Sequence, residues 1–421
     1  LSITGKGFKK LIKVSEALRK IEAELRYRIT EAEVVDLISS INRVAAENIV
    51  APADIPPFNR AAMDGYAVRA EDISGATTTN PVLLKVIGKI EVGELSDVVV
   101  SEGDAVEIST GAPIPKGANA VVPYEETNRI GEYIEVYKAI PPWKNISKRG
   151  EDIKRGSIVI SKGSTIRAWN IGVLASLNIV KVKVYRKPKI AVLSTGNEIV
   201  ELGCKIEEGK IVDSTKWMLR ALIESLNCEF INLGISSDNK GEIAEKVLKG
   251  IKLADMIITT GGTSVGKRDY TVEAVMEAGG NLIFHGVSMR PGKPTAFAIL
   301  NEKPILMLSG FPVAALMGFE VFGRKIISLI SGLKAQPKPK VKAKISRRVA
   351  SIIGVRDYLR VKLKVVNGEL WAEPLKLTGS GILSTITEAS GIVVIPEEVE
   401  GFDVGDEVEV ILLEPIEELN L

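Results

Sequence analysis

Histidine and glutamine occur once each in this chain, at His285 and Gln336, and cysteine twice, at Cys204 and Cys228. Without a C-x-x-C pair, neither a structural zinc site nor a redox couple is expected, and two free thiols in a reducing cytosol is the simple reading. Proton transfer and metal binding therefore fall mainly to carboxylates, lysines and hydroxyls. An excess of one charge is also missing. The 55 basic and 53 acidic residues leave a formal +2, which does not point to nucleic acid as the main partner, though local anion sites stay open. No apolar run approaches the about 20 residues that span a bilayer. The first residues, LSITGKGFKK, hold no hydrophobic signal core followed by a cleavage site. The expectation is a cytoplasmic protein with no membrane partner. Scarce Gln against abundant Lys, Glu, Ile and Val is a bias common in thermophile proteins.

What is present is enough for several cores. The chain has 421 residues, 45% of them hydrophobic, a length that suggests about two to four domains. IKVSEALRKIEAELR (12–26) has apolar residues at helical spacing with Ser15 as N-cap. Thr30 and Glu33 form a capping-box pattern that opens a second predicted helix over 30–46. From 58 to 149 short β-rich runs alternate with turns. Residues 150–186 add short strands around a predicted helix near 168–177. From 187 the texture becomes α/β: strands at KIAVLSTG, EFINLGISSD, DMIITTGG and NLIFHGVSM alternate with helices, one of them opened by Asp213. AFAILNEKPILMLSG reads as two strands around Asn301-Glu302, and FPVAALMGFEVFGRKIISLISGL as a closing helix. This alternation implies a mostly parallel sheet covered on both faces. KAQPKPKVKAK (334–344) resembles a linker, and the remaining residues read as a small β-barrel or sandwich.

Ligands of such sheets sit beyond the carboxyl ends of the strands. Four loops should meet there: STGNE (194–198), SSD (236–238), TTGGTSVGKRD (259–269) and LSGFPVA (308–314), with MRPGKPTAF (289–297) beside them. Glycines let backbone approach a ligand, and their N–H groups together with helix N-termini suit phosphate. Arg290 and Lys293 add positive charge around a Pro-Gly turn. Glu198, Asp238 and Asp269 would repel a bare phosphate, and their natural companion is Mg²⁺. Gly261 to Lys267 imitates a P-loop, but Arg268 stands where its Ser or Thr would be. Asp238 and Asp269 also stand where helix N-caps would, so cap and metal roles are both open. His285 lies in an apolar strand pattern and reads as structural. Trp143 and Trp217 read as packing residues. The middle module has three marked stretches: NRAAMDGYAV with Asp64, STGAPIPKGANAVVPYEE with Thr110, and SKRGEDI with Asp152.

AMDGYAV, STGAPIPKGANAVVPYE, RGEDI, LSTGNE, TTGGTSVGKRDY, RPGKPTAF and SGFPVAA, in this order, resemble the molybdopterin molybdenumtransferase family (MoeA), related to the gephyrin E domain. The resemblance spans roughly residues 12–421. It implies a multidomain α/β-plus-β fold in four parts. These are a three-layer α/β domain of molybdopterin-binding type (12–31 with 187–333), a connecting domain (32–50 with 157–186), a β-rich inserted domain (51–156), and a C-terminal β-barrel (345–421) after the 334–344 linker. It also implies a homodimer whose active site joins the α/β domain of one subunit to the β-rich domain of the other. The family's reaction inserts molybdate into adenylylated molybdopterin and releases AMP, with Mg²⁺; tungstate is an alternative oxyanion. Its catalytic positions match Asp64, Thr110, Asp152, Glu198, Asp238 and Asp269, the last three as metal ligands Asp269, Glu198 and Asp238. Substrate-binding positions match Thr195, Gly196, Gly261, Gly262, Ser264, Gly266, Arg290, Lys293, Ser309 and Pro312. A molybdopterin adenylyltransferase of the same pathway is an expected partner.

There are departures from the family pattern. Asn197 stands where Asp is frequent, Arg290 where Lys is frequent, and Phe311 at a variable position. Three other readings compete. A molybdopterin adenylyltransferase would need only the α/β unit. A gephyrin-like peptide-binding scaffold is a second, and a P-loop ATPase dependent on Lys267 a third.

Overall fold

The computed structural model describes residues 11–94, 96–262, 269–333, 337–375 and 381–413. The chain forms two compact units. One contains residues up to 33, 42–44 and 184 onward, and the other contains 34–41 and 45–183. Each is described by itself.

Helix α1 covers Val14–Glu24 and buries Val14, Ala17 and Ile21 on one face. Its cap position is Lys13, not Ser15, and no side chain caps it. The predicted second helix over 30–46 is not formed. Strand β1 (Ala32–Asp36) and a single 3₁₀ turn at Ile38–Ser40 replace it. The β-branched pair Val34-Val35 favours extended backbone, and the Leu37 N–H donates to the Val180 carbonyl at 2.9 Å instead of to a helical turn.

The second unit is built on a six-stranded sheet. Its strands are β2 (Gly65–Val68), β3 (Val82–Ile90), β4 (Asp104–Ile108), β5 (Ala120–Pro123), β6 (Thr127–Ile130) and β7 (Tyr133–Val136), in spatial order β5-β2-β4-β3-β7-β6. Only β3 and β4 run parallel. One core holds Tyr66, Val68, Leu84, Val122 and Ile134, another Ala67, Ile90, Val106 and Ile108. Alternate residues of these strands thus face opposite cores, as the two-residue period of a strand requires. Helix α2 (Ala168–Ser176) lies within the predicted 168–177.

In the first unit, the expected α/β alternation is present. The elements are β8 (Lys189–Thr195), α3 (Ser214–Ser225), β9 (Glu229–Ser236), α4 (Lys240–Leu253), β10 (Met256–Thr260), α5 (Tyr270–Glu277), β11 (Asn281–His285), β12 (Ala296–Leu300), β13 (Lys303–Leu308), α6 (Pro312–Gly318) and α7 (Arg324–Ser331). The sheet order is β9-β8-β10-β13-β12-β11. The first four strands are parallel, and β12 runs antiparallel to both of its neighbours, β13 and β11. Asn301 and Glu302 both take positive φ (48° and 66°) in the β12–β13 turn, the backbone that matches the twist of a two-residue hairpin. Opposite faces of β8 and β10 feed opposite cores: Ile190, Val192 and Ile258 pack with α1, α3 and α7, while Ala191, Leu193 and Ile257 pack with α4 and α5. The closing helix is interrupted by a π turn at Phe319–Gly323 between α6 and α7.

A closed five-stranded barrel follows. It contains β14 (Lys340–Ile345), β15 (Arg356–Val366), β16 (Glu369–Pro374), β17 (Gly391–Ile395) and β18 (Glu407–Leu412), joined in the ring β14-β18-β17-β15-β16-β14. Strand β14 starts inside the Pro- and Lys-rich stretch, because Ala343 and Ile345 alternate inward to the barrel core while Lys340, Lys342 and Lys344 pair with acidic neighbours outside. The fold class expected from the sequence, α/β plus β with a molybdopterin-binding-type sheet and a C-terminal barrel, is the one observed.

Asp255, buried just before β10, ties three segments of the first unit together. Its carboxylate accepts from Tyr27 Oη (2.7 Å), from Arg186 Nη1 and Nη2 (2.6 and 2.7 Å) and from the Lys189 N–H (2.8 Å). Burial pushes this carboxyl upward most strongly, but the Arg186, Lys189 and Tyr27 hydrogen bonds outweigh it and leave the group below its usual value. A carboxyl depressed in the folded state stabilises the fold above its unfolded pKa, and that contribution fades as pH falls toward the folded value. Asp255→Ala should cost about 3 kcal/mol or more, since it leaves Arg186 without its buried partner. In thermal melts the gap between wild type and Asp255→Ala should be full at pH 6 and shrink below about pH 4.

Candidate functional site

The carboxyl ends of β8, β9, β10 and β13 lie side by side in the parallel part of the sheet, so the loops after Thr195, Ser236, Thr260 and Leu308 share one rim. Buried hydroxyls fix the start of these loops. Thr195 Oγ1 donates to the Thr260 carbonyl (3.2 Å) and lies 3.3 Å from Thr271 Oγ1, which donates to the Gly261 carbonyl (3.1 Å). Thr260 Oγ1 donates to Ser194 Oγ at 3.3 Å. Ser194 and Thr260 stand at the strand ends LST and ITT, where a sequence signal is present, whereas Thr271 lies inside α5 with none.

Glycine is required where these loops touch. Gly261 has φ +88°, and a β-carbon there would lie 2.2 Å from the Thr195 carbonyl oxygen. Gly262 has φ +63°, with a β-carbon position 2.2 Å from Thr271 Oγ1. Gly310 backs onto the Gly261 α-carbon. The Gly261 N–H donates to the Leu308 carbonyl (3.1 Å) and the Gly196 N–H to Ser236 (3.1 Å). Ser309 Oγ accepts from the Phe311 N–H (3.3 Å), and Pro312 opens α6. Ser264 and Gly266, with Lys267 and Arg268, lie outside the described residues.

The three rim carboxylates do not form one cluster. Among the described residues no group of three or more His, Cys, Asp or Glu side chains is gathered as a metal site. Glu198 is exposed, and its carboxylate folds against the Gly196 α-carbon, within 2.8 Å of where a β-carbon would stand. The Asp238 N–H donates to Asn197 Oδ1 (3.2 Å), so Asn197 joins two rim loops. Asp238 does not cap α4; Asn239 does, through the Glu242 N–H (3.1 Å). Asp269 occupies the cap position of α5 but makes no capping bond, and its buried Oδ1 has no hydrogen-bond partner among the described residues. Its Oδ2 stands 3.7 Å from His285 Nε2. Burial pushes the Asp269 carboxyl upward, with His285 opposing and Glu273 reinforcing, while burial pushes His285 down against the pull of Asp269. His285, expected as a packing residue, is thus beside a rim carboxylate.

The RPGKP turn is held from the barrel. Met289–Arg290 pairs in parallel with Arg356–Asp357 at the start of β15. Arg290 Nε donates to Asp357 Oδ1 at 2.7 Å and its Nη2 to Oδ2; Asp357 is fully buried and also accepts from Ser351 Oγ (2.6 Å). The forked edge of Arg290, expected to grip an anion, is therefore occupied by a carboxylate. Lys293 lies half-buried on the same turn.

In the second unit the three marked stretches converge. The Thr110 N–H donates to Asp64 Oδ1 at 2.7 Å, and this bond is the main cause that holds the Asp64 carboxyl below its usual value. A β-carbon on Gly65 would lie 2.0 Å from the Val122 carbonyl, which explains the Asp-Gly pair. Ala61 exchanges hydrogen bonds with Gly111 and Ala112, and pairs with Ile146. Arg149 donates its N–H to Asn59 Oδ1 (2.8 Å) and its Nε to Asp54 Oδ2 (2.6 Å), while the Asp152 N–H donates to Ile55. Asp64, Thr110 and Asp152 are all exposed.

The glycine rim lets a ligand approach the backbone closely at the carboxyl ends of the strands, with carboxylates at its edge. Its tolerance is narrow. Gly261→Ala should cost about 2 kcal/mol or more through clash and left-handed strain together. Gly203→Ala, at φ +89° with nothing within 4 Å of the new β-carbon, should cost only the about 1–2 kcal/mol of strain. Denaturant titration of both variants checks the difference.

Comparison with known proteins agrees with this architecture. The family model for the MoeA N-terminal region (domain I and II) matches residues 12–178, the one described as "Probable molybdopterin binding domain" matches 191–328, and that for the MoeA C-terminal region (domain IV) matches 342–413. The molybdopterin molybdenumtransferase of Staphylococcus epidermidis is 34% identical over 404 residues, covering 96% of each chain. That of Haemophilus influenzae is 33% identical over 412 residues, covering 97% of this chain and 100% of the relative. The crystal structure of the molybdopterin biosynthesis MoeA protein from Pyrococcus horikoshii OT3 superposes with a TM-score of 0.80 at 36% identity, covering 96% of this chain and 100% of that one. Three family regions in order, on relatives covered almost end to end, mean that the chain belongs to the MoeA family of molybdopterin molybdenumtransferases.

Proposed function

We propose that this protein inserts molybdate into adenylylated molybdopterin and releases AMP, a late step of molybdenum cofactor biosynthesis. The observation that carries the reading is the glycine-lined rim with a buried carboxylate oxygen on Asp269 at its edge that has no hydrogen-bond partner among the described residues. Gly196, Gly261 and Gly262 receive the phosphates, and Thr195 holds the turn from below. The rim fits Mg²⁺ in the manner usual for that ion, through one or two carboxylates completed by substrate phosphate and water. Asp269 is the first such carboxylate, and Glu198 and Asp238, on neighbouring loops of the same rim, are the candidates for a second. Bound there, Mg²⁺ would neutralise charge on the phosphates. Lys293 adds positive charge beside the oxyanion.

In this reading Asp64, Thr110 and Asp152 complete the site from the partner subunit of a homodimer, and the domain division given above applies. Asp64, kept ionised by the Thr110 N–H, serves as an acceptor at neutral pH. Tungstate, nearly the same size and shape, is the alternative oxyanion. The adenylate comes from an adenylyltransferase of the same pathway, in the cytoplasm.

The test is AMP release from adenylylated molybdopterin with Mg²⁺ and either oxyanion. Wild type should release AMP in an oxyanion-stimulated manner, and Asp269→Asn should lower the rate about 100-fold or more. Synthesis of the adenylate from ATP, without AMP release, would favour the adenylyltransferase reading; neither reaction would favour a scaffold. If the site is shared between subunits, mixing inactive Asp64→Asn with inactive Asp269→Asn protein should restore about a quarter of wild-type activity when subunits exchange at random. No recovery despite demonstrated exchange would rule out the shared site.

A further inference from the structure

Lysine is seldom wholly buried, and when it is, its ammonium has partners. Lys216, in the first turn of α3, has a fully buried side chain. Its Nζ donates to both carboxylate oxygens of Glu201, at 2.7 and 2.8 Å, and lies 3.5 Å from Asp213 Oδ2. Asp213 also caps the helix by accepting the Lys216 N–H at 3.1 Å. The neighbouring Thr215 donates Oγ1 to the Gly310 carbonyl at 2.9 Å. One helical turn therefore holds two rim loops: the 196–212 excursion through Glu201, and the Ser309–Pro312 turn through Gly310.

Glu198 sits on that excursion, three residues before Glu201. The start of the excursion is tied to the next loop by the Gly196 N–H to the Ser236 carbonyl (3.1 Å) and by Asn197 Oδ1, which accepts the Asp238 N–H (3.2 Å). Ile199–Val200 pairs with Ile211–Val212 over two residues, and Lys210 Nζ donates to the Asn197 carbonyl at 2.7 Å. Leu202, Ile206 and Ile211 are all more than half exposed, so the excursion has scant apolar burial to fix it. The buried ammonium supplies the charged contact that ties this segment to α3.

We propose that Lys216 is a positioning residue for the reaction. Acting through Glu201, it fixes the 196–212 excursion so that the Glu198 carboxylate stays on the rim against Gly196. The inference rests on the reading of Glu198 as a site residue, and its test separates the two.

Cys204 is exposed on the excursion and Cys228 is buried, so a nitroxide attached to the unaltered chain reports from position 204. Its spectrum and the kinetics of AMP release are compared in wild type, K216M, E201Q and E198Q. K216M and E201Q should both show a more mobile spectrum, with kcat lowered about tenfold or more and KM changed less than about threefold. E198Q should lose activity while its spectrum stays that of wild type. Unchanged spectra in K216M and E201Q overturn the proposal, as do mobile spectra with unchanged kcat. Wild-type activity in E198Q would instead sink the role of Glu198, an outcome told apart because the spectra do not depend on it. Glu201 is 38% exposed, so E201Q removes the charge at a solvent-reached position and serves should K216M not fold.

Discussion

At Thr195 two stretches of backbone approach so closely that no side chain fits between them, and the rim depends on that approach. The Thr195 carbonyl occupies the space that a β-carbon on Gly261 would need, and its hydroxyl reaches across to the Thr260 carbonyl. Gly310 closes on the same glycine from the other side. Loops brought this near form a fixed surface on which a ligand can approach the backbone without meeting a side chain. The parallel order β9-β8-β10-β13 makes the approach possible, since it sets four strand ends in one row.

Around that row, charge serves mostly to hold loops in place. Asp357 in the barrel takes the forked edge of Arg290, and Glu201 takes the buried ammonium of Lys216; a neutral bond, the Asp238 N–H to Asn197 Oδ1, joins two more loops. The barrel is therefore joined to the α/β sheet through the RPGKP turn, by a strand pairing and by a buried carboxylate. In the second unit, backbone pairing does the same work: residues 59–64, 109–112 and 145–152 are brought together by Ala61, with Asp64 held by the Thr110 N–H.

Some expectations failed because a partner distant in sequence outweighed a local signal. Thr30 and Glu33 had the spacing of a capping box, yet Val34-Val35 extends and Leu37 bonds to Val180. Here a pairing partner about 140 residues away outweighed a local signal. Arg290 looked like an anion clamp because its partner, Asp357, is 67 residues distant in sequence. His285 looked structural because the strand pattern around it is apolar; its proximity to Asp269 follows because β11, like β10, ends at the rim. Lys216 lay within an ordinary amphipathic helix, and nothing local marked it for full burial.

The sequence by itself determined the α/β alternation, the row of strand-end loops, the positive-φ Asn301-Glu302 turn and the glycines of the rim. Each of these follows from short-range rules: strand and helix periods, and the conformations that only certain residues tolerate. Only the tertiary structure decided which charged groups face a ligand and which are occupied. That depends on long-range neighbours. A carboxylate three residues away and one sixty residues away act equally on a guanidinium once both are within hydrogen-bond reach.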